Sequence, residues 1–230
     1  ALKMLTEVQA NLRGTPNPRR LNLRVSPSFG VRWLGPRLSD FLTQFPDWDL
    51  RVDAAPDPTD FDREIMDLEV RYGTGSWDGL NSTPLVNDYV LPLASPDYLA
   101  SLPTDDPLAS ARLIDSARAL CQWDFWLWHH GVTTATNQKS ILMDRSSMAL
   151  QLALDGAGIV LESLAIAASE VEAGRLVPLT PEIPVLRFAA HWAICPSRNL
   201  NRRAVRIFLD WLSKERDAHD EVTAGIVARF

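Results

Sequence analysis

The sequence predicts an α/β fold of two lobes, each built by alternating strand and helix. Residues 21–72 read as strand, helix, strand, short helix, strand, and a second alternating series starts at Ser95-Pro96 and runs to residue 217. Two strand-like passages, ending in Ala94-Ser95-Pro96 and Cys195-Pro196-Ser197, fall where one lobe would hand the chain to the other. Two such crossings make a hinge, the layout of a clamp that closes on a ligand.

In chain order, Leu2, Leu5, Val8 and Leu12 stand at helical spacing before the breaker Gly14-Thr15-Pro16-Asn17-Pro18, so residues 1–13 are expected to end a helix. Leu21, Leu23 and Val25 alternate with Asn22 and Arg24 as in a strand. After Pro27-Ser28, the series Val31, Leu34, Leu38, Phe41, Leu42 and Phe45 marks an amphipathic helix that Pro46-Asp47 ends. Leu50, Val52 and Ala54 give a second strand, Thr59 to Glu64 a short acidic helix, and Met66 to Tyr72 a third strand. That order demands parallel pairing with right-handed crossovers, and ligands on such sheets sit beyond the carboxyl ends of the strands.

Pro84 to Ala94 is strand-like, and Ser95 caps a helix whose first position is Pro96. Leu113 to Asp115 reads as a strand, Gln122 to His130 as a helix closed by Gly131, and Ile141 to Met143 as another strand. Asp144 is expected to cap a helix running to Gly156. Ile159 to Leu161 is a buried strand, Ser163 to Ala173 a helix ended by Gly174, and Phe188 to Cys195 a long strand. Ala204, Val205, Phe208, Leu209 and Leu212 place an apolar stripe on a last helix over 201–217. The expected division is 1–20 as a linker end and hinge, 21–94 with 190–230 as the first lobe, and 95–189 as the second.

Apolar residues make up 46% and charged residues 23% of the 230, the balance of an ordinary globular chain. The net charge of −6 opposes phosphate binding by this piece, and the charge is unevenly placed: residues 1–20 carry +3, leaving −9 for the rest. Cys121 and Cys195 are the only cysteines and lie outside any metal-ligand spacing, so neither a disulfide framework nor a metal site is expected and a reducing cytoplasm fits. No secretory leader or long apolar run is visible, so neither export nor membrane spanning is expected.

Enzyme motifs are missing: there is no G-x-S-x-G, no phosphate-binding G-x-x-x-x-G-K-[ST] and no H-E-x-x-H, and Gly73-Thr74-Gly75 lacks the third glycine of a dinucleotide fingerprint. No catalytic residue and no cofactor is expected, and His129, His130, His191 and His219 read first as surface or packing residues. A hydrolase built on His191 and a nearby serine is the least favoured alternative. The turn Ser26-Pro27-Ser28-Phe29 lies where the sheet wants ligands, and the N–H groups of a helix start attract anions, although Ser28 also reads as a plain N-cap. The same pattern recurs at Asp144-Arg145-Ser146-Ser147, again readable as simple capping. In Cys121 to His130, helical spacing puts Trp123 and Trp126 on one face, either as packing or as a ligand wall, and Trp77 offers a second wall.

With those positions in hand, the chain resembles the effector-binding domain of LysR-type transcriptional regulators, in the branch of glycine-cleavage and beta-lactamase regulators. The likeness covers nearly all of residues 1–217. It rests on Leu21 to Val25 leading to Ser28-Phe29, on Trp33-Leu34-Gly35-Pro36-Arg37-Leu38, and on the step from Phe45-Pro46-Asp47 into Asp49-Leu50-Arg51. The string Asp67-Leu68-Glu69-Val70-Arg71-Tyr72-Gly73 is its most specific part, joined by Trp123 to Leu127, Asp144 to Ser147 and Asp155 to Ile159.

The resemblance implies two Rossmann-like lobes joined by two crossover strands, like a type II periplasmic binding protein, with a small effector in the cleft. It also implies an absent N-terminal winged helix-turn-helix, through which alone DNA would be bound, and self-association as a homodimer or homotetramer. Carried over by position, the pocket draws on Ser28, Phe29, Asp60, Tyr72 and Trp77 from one side and Trp123, Ser146 and Ser147 from the other. His191 falls where relatives tend to place tyrosine and Arg145 where serine is common. Two helix starts favour a carboxylate, while Asp60 and Asp144 would accept from an ammonium or amide, so an amino-acid-like or peptide-like effector is expected. The rival reading is a free-standing solute-binding protein of a transporter, which would share the clamp.

Overall fold

A computed structural model describes residues 19–132, 139–180 and 184–229. The helix expected over residues 1–13 lies outside the described residues.

Strand β1 (Arg20–Val25) is apolar on alternate positions and buried from Leu21 onward. It feeds a continuous helical run: α1 (Pro27–Phe29), a π turn (Gly30–Leu34) and α2 (Gly35–Gln44). In the π turn the Gly35 N–H reaches the Gly30 carbonyl, five residues back. The widened turn stands directly before Pro36, whose ring would crowd the carbonyl four residues earlier in a regular helix and which has no N–H to give. Phe41 pins α2, with Phe45, Trp48, Phe208 and Trp211 rings at 4.9 to 5.1 Å from its own or in the same cluster.

β2 (Asp49–Ala54) and β3 (Leu68–Tyr72) flank β1, both parallel to it, with Leu23 opposite Val52 and Leu68. Between them the acidic helix expected over Thr59 to Glu64 is a single turn. Arg63 and Glu64 N–H groups donate to the Asp60 carbonyl at 3.1 and 2.8 Å, and the Asp60 side chain accepts from Asp62 and Arg63. Glu64 then pairs with Arg24 and the chain leaves for β3, so no second turn forms.

β4 (Asn81–Ala94) starts three residues before its expected beginning and runs for 14. Ser95 caps α3 (Pro96–Ala100), its hydroxyl accepting from the Tyr98 N–H at 3.4 Å, and α4 (Pro107–Ser110) follows. The second lobe continues through β5 (Leu113–Ser116), α5 (Trp123–His129), β6 (Ser140–Met143), α6 (Ser146–Leu154), β7 (Ile159–Ser163) and α7 (Leu164–Glu172). The N-cap of α6 is Arg145, with no side-chain cap bond. Asp144 does not cap it, because its carboxylate is held sideways by Arg118 at 3.3 Å and by Arg145.

The short β8 (Val177–Pro178), then β9 (Leu186–Cys195), α8 (Ser197–Leu200) and α9 (Arg203–Val227) complete the chain. α9 extends ten residues past the expected end at 217, because its buried face continues through His219, Thr223 and Ile226.

The strands form one mixed sheet in the order β2-β1-β3-β9-β4-β7-β5-β6, with β8 beside β4. β2-β1-β3 and β7-β5-β6 are parallel triplets, and the long β4 and β9 run antiparallel to each other between them. This is the α/β architecture of two alternating units joined by two strands. Apolar side chains fall into two clusters, one around Leu23, Phe41, Leu68 and Phe208, the other around Leu91, Ile114, Trp126 and Val160. Strand β4 gives Val86 to the first and Val90 to the second, so the change of core happens inside a strand.

Candidate functional site

A cavity of about 330 Å³ opens between the two clusters, at the carboxyl ends of β1, β3, β5 and β7. Parallel strands put it there: their ends leave backbone turns and helix starts facing one crevice. Of the residues expected at a site, Ser28, Phe29, Tyr72, Trp77, Asp144, Ser146 and His191 line it. Ser147 stands against it through the backbone, its N–H donating to Ser28 Oγ at 3.0 Å.

Two expected residues lie elsewhere. Trp123 is packed in the second core, 3% exposed, with its indole N–H donating to the Ile114 carbonyl at 3.0 Å. Helical spacing explains this: Trp123 and Trp126 share the inward face of α5, while Trp128 points out at 76% exposure. Asp60 is exposed and spends its carboxylate on its own turn, and the cavity wall nearby is Ala55, Pro56 and Pro58 instead. Ser28 is not an N-cap. Ser26 occupies that position, and its hydroxyl accepts from the Tyr72 N–H at 3.2 Å, tying the turn to β3.

The cavity also holds charged residues that pattern reading passed over: Glu69, Arg71, Asp88, Arg118 and Glu162. Glu69 and Arg71 form a bidentate pair at 2.8 and 2.7 Å, and the Arg71 guanidinium lies 5.2 Å from the Trp77 ring. Asp88 accepts from the Tyr72 hydroxyl at 2.9 Å, and that hydroxyl accepts from the Leu120 N–H at 3.0 Å. Burial, with Asp88 beside it, holds the Tyr72 phenol well above its ordinary range. His191 stacks on Phe29 at 4.2 Å and brings Nε2 to 3.4 Å from Asp88.

Glu162 is buried, and its carboxylate accepts from the Ser163 N–H at 2.9 Å, with the Ser146 side chain beside it. Burial pushes it up to about 8, helped by Asp88 and Asp115 and opposed by that N–H and by the Ser146 side chain. Asp115, behind the cavity, is raised by burial to about 6 although the Trp123 N–H favours its charge. The signal for Glu162 was its place directly after the apolar Ile159-Val160-Leu161, at the carboxyl end of a buried parallel strand.

The hydroxyls in the cavity pair among themselves, Ser28 with Ser147 at 3.3 Å and Ser146 with Ser116 at 3.2 Å. None of the described hydrogen bonds joins His191 to a serine, so no nucleophile and base are assembled. Among the described residues there is no group of three or more metal-ligating side chains, and no helix is long and apolar enough to cross a membrane. The arrangement is that of a binding crevice between two alternating units.

Comparison with known proteins agrees with this class. The LysR substrate binding domain model matches residues 15–217, and the chain belongs to that family, the effector-binding domains of LysR-type regulators. It is 33% identical over 198 residues to the HTH-type transcriptional regulator PerR of Escherichia coli K12, covering 86% of this chain and 66% of PerR. It is 30% identical to the glycine cleavage system transcriptional activator of the same organism, over 94% of this chain and 72% of that protein. The chain thus spans about two thirds of these relatives. The effector domain of AmpR from Pseudomonas aeruginosa superposes with a TM-score of 0.74 at 25% identity, over 90% of this chain and 99% of that one.

Proposed function

We propose that this chain is the effector-sensing part of a LysR-type DNA-binding transcriptional regulator, and that a small amino-acid-like or peptide-like molecule binds in the cavity between its lobes. The supporting observation is the distribution of charge around that cavity. At the rim, Arg118 and Arg145 share a single carboxylate, Asp144, which leaves a surplus positive charge for a carboxylate. At the floor, Asp88 and Glu162 have no arginine or lysine among their described partners. A dipolar molecule complements both ends.

In this reading the chain is a sensor rather than an enzyme, works in the cytoplasm, and reaches DNA through a helix-turn-helix outside these residues. Occupancy would shift the arrangement of lobes or subunits and so reposition the DNA-reading parts. Self-association is supported by apolar side chains left outside: Val31 and Leu42 on the helical run after β1, and Leu142 and Met148 on the other lobe. All the relatives named above are regulators, which weighs against a transporter component.

Thermal-shift and calorimetric titration with amino acids, muropeptides and simple aromatic acids tests the effector class. Stabilisation by zwitterionic members is expected, and binding confined to the aromatic acids would overturn it. Light scattering that gives only monomer at high concentration would overturn the self-association.

A further inference from the structure

We propose that Asp88 and Glu162 select an effector with a cationic, donor-rich nitrogen head, an ammonium, amidinium or guanidinium, seated on the cavity floor with its body against Phe29 and Trp77. The proposal rests on the reading of this cavity as the effector site.

The floor contains buried acceptors with nothing to accept. Glu162 Oε2 and Asp88 Oδ1 have no hydrogen-bond partner, on residues 6% and 2% exposed that both line the cavity. Buried polar atoms are almost always paired, so two orphaned carboxylate oxygens on residues that line one space mark where a donor belongs. His191 does not fill the role: its Nε2 lies 3.4 Å from Asp88 Oδ1 without a hydrogen bond, and its Nδ1 is itself unpartnered.

Charge decides between kinds of donor. Each arginine of the cavity is already engaged, Arg71 by Glu69 and both Arg118 and Arg145 by Asp144. A neutral hydroxyl or amide would satisfy hydrogen bonds but supply no counter-charge to the two acidic groups, and an anion would add repulsion. A nitrogen cation supplies several donors and the missing charge together. The apolar surfaces of Phe29, Trp77 and Ile166 then take the remainder of the molecule.

Arrival of a cation would also favour the ionised form of Glu162, whose carboxyl is otherwise held protonated to about 8. The groups facing it are Asp88 on β4, Asp115 on β5, Ser146 on α6, Tyr72 on β3 and, around the rest of the cavity, Glu69, Arg71, Arg118, Asp144, Arg145 and His191. Binding is therefore expected to release a proton at neutral pH.

The test uses three probes of one shape, phenethylamine, phenethyl alcohol and phenylacetate, titrated into the chain and followed by calorimetry and tryptophan fluorescence. Phenethylamine is expected to bind at least about tenfold more tightly than the alcohol, the scale of one charge-assisted contact. Asp88→Asn and Glu162→Gln should each shrink that ratio, and E162Q should abolish proton release, read as heat that depends on the buffer. If the alcohol or phenylacetate binds as well as the amine, or the variants leave the ratio unchanged, cation selection is overturned while the cavity reading stands. If the amine does not bind at all, the proposal is overturned. If Ser28→Trp, which plugs the cavity, leaves the affinity for a bound probe unchanged, the cavity reading itself fails.

Discussion

Ser28 Oγ accepts a hydrogen bond from the backbone N–H of Ser147 at 3.0 Å, across 119 residues of sequence and across the cleft. The bond joins the turn after β1 to the first turn of α6, so the lobes touch through a hydroxyl and a helix-start amide that would otherwise be open to a ligand. Ser28→Ala removes the acceptor but little packing. We expect a loss of about 1 kcal/mol or less in unfolding free energy, the net worth of one such bond, together with a larger radius of gyration in solution scattering as the cleft opens. An unchanged scattering profile shows that closure does not depend on this contact.

Glu162 makes stability fall as pH rises. Its folded carboxyl titrates at about 8, against 4.5 for the free group, so the folded state holds a proton that the unfolded state has already lost. The favourable contribution is complete below about pH 4.5 and is lost progressively up to about pH 8, at up to about 1.4 kcal/mol per pH unit. Glu162→Gln keeps the shape and the hydrogen bond from the Ser163 N–H without the titration. Its melting temperature is expected to exceed that of the parent at the alkaline end of that window and to match it at the acid end. Parallel melting curves for the two proteins across the window would refute the assignment.

The alternating units were legible because β1 alternates apolar and polar residues, β5 and β7 open on short apolar runs, and the intervening helices carry clear stripes. The crossing of β4 and β9 between two cores was visible only as long strand-like passages, since they pair with each other and with β3 and β7, not with the strands next to them in sequence. At the site, Ser28 and Ser146 could be placed because helix starts after parallel strands must face the cleft. Asp60 could not, because an aspartate in a turn has a local use for its carboxylate that a pattern does not reveal. Asp88 and Glu162 were missed for the opposite reason. A carboxylate inside a strand carries no periodic signal, and its value lies in burial beside the other.

His219 gives the reverse pH dependence. It is buried in α9, with its ring 6.0 Å from that of Trp33 and Nε2 3.3 Å from Thr223 Oγ1. Burial, with Arg37 and His191 adding to it, lowers the imidazole from 6.5 to about 4. The unfolded chain therefore takes up a proton first as pH falls, and stability declines between about pH 6.5 and about pH 4. His219→Gln is expected to lose some stability at neutral pH by changed packing, but to show a shallower acid decline. Acid denaturation monitored by circular dichroism decides; an equal slope in both proteins would assign the decline to other groups.

Gly75 holds the Trp77 wall in place through Trp192. Its φ of +92° is left-handed, and a Cβ there would lie 2.2 Å from the Trp192 ring. That ring cannot easily yield, since its N–H donates to the Gly73 carbonyl at 2.9 Å and it meets the Trp77 ring in a T-shaped contact at 6.4 Å. Gly75→Ala therefore combines backbone strain of about 1 to 3 kcal/mol with overpacking of similar size. The melting temperature should drop by about 2 to 4 °C for each kcal/mol, and tryptophan emission should shift as Trp192 and Trp77 separate. Gly79→Ala separates the two causes: Gly79 has a φ of +74° but nothing within 4 Å of its Cβ position, so it should show the strain without the emission shift. Equal losses in the two variants would mean that Trp192 gives way freely and that the Trp77 wall is not braced by it.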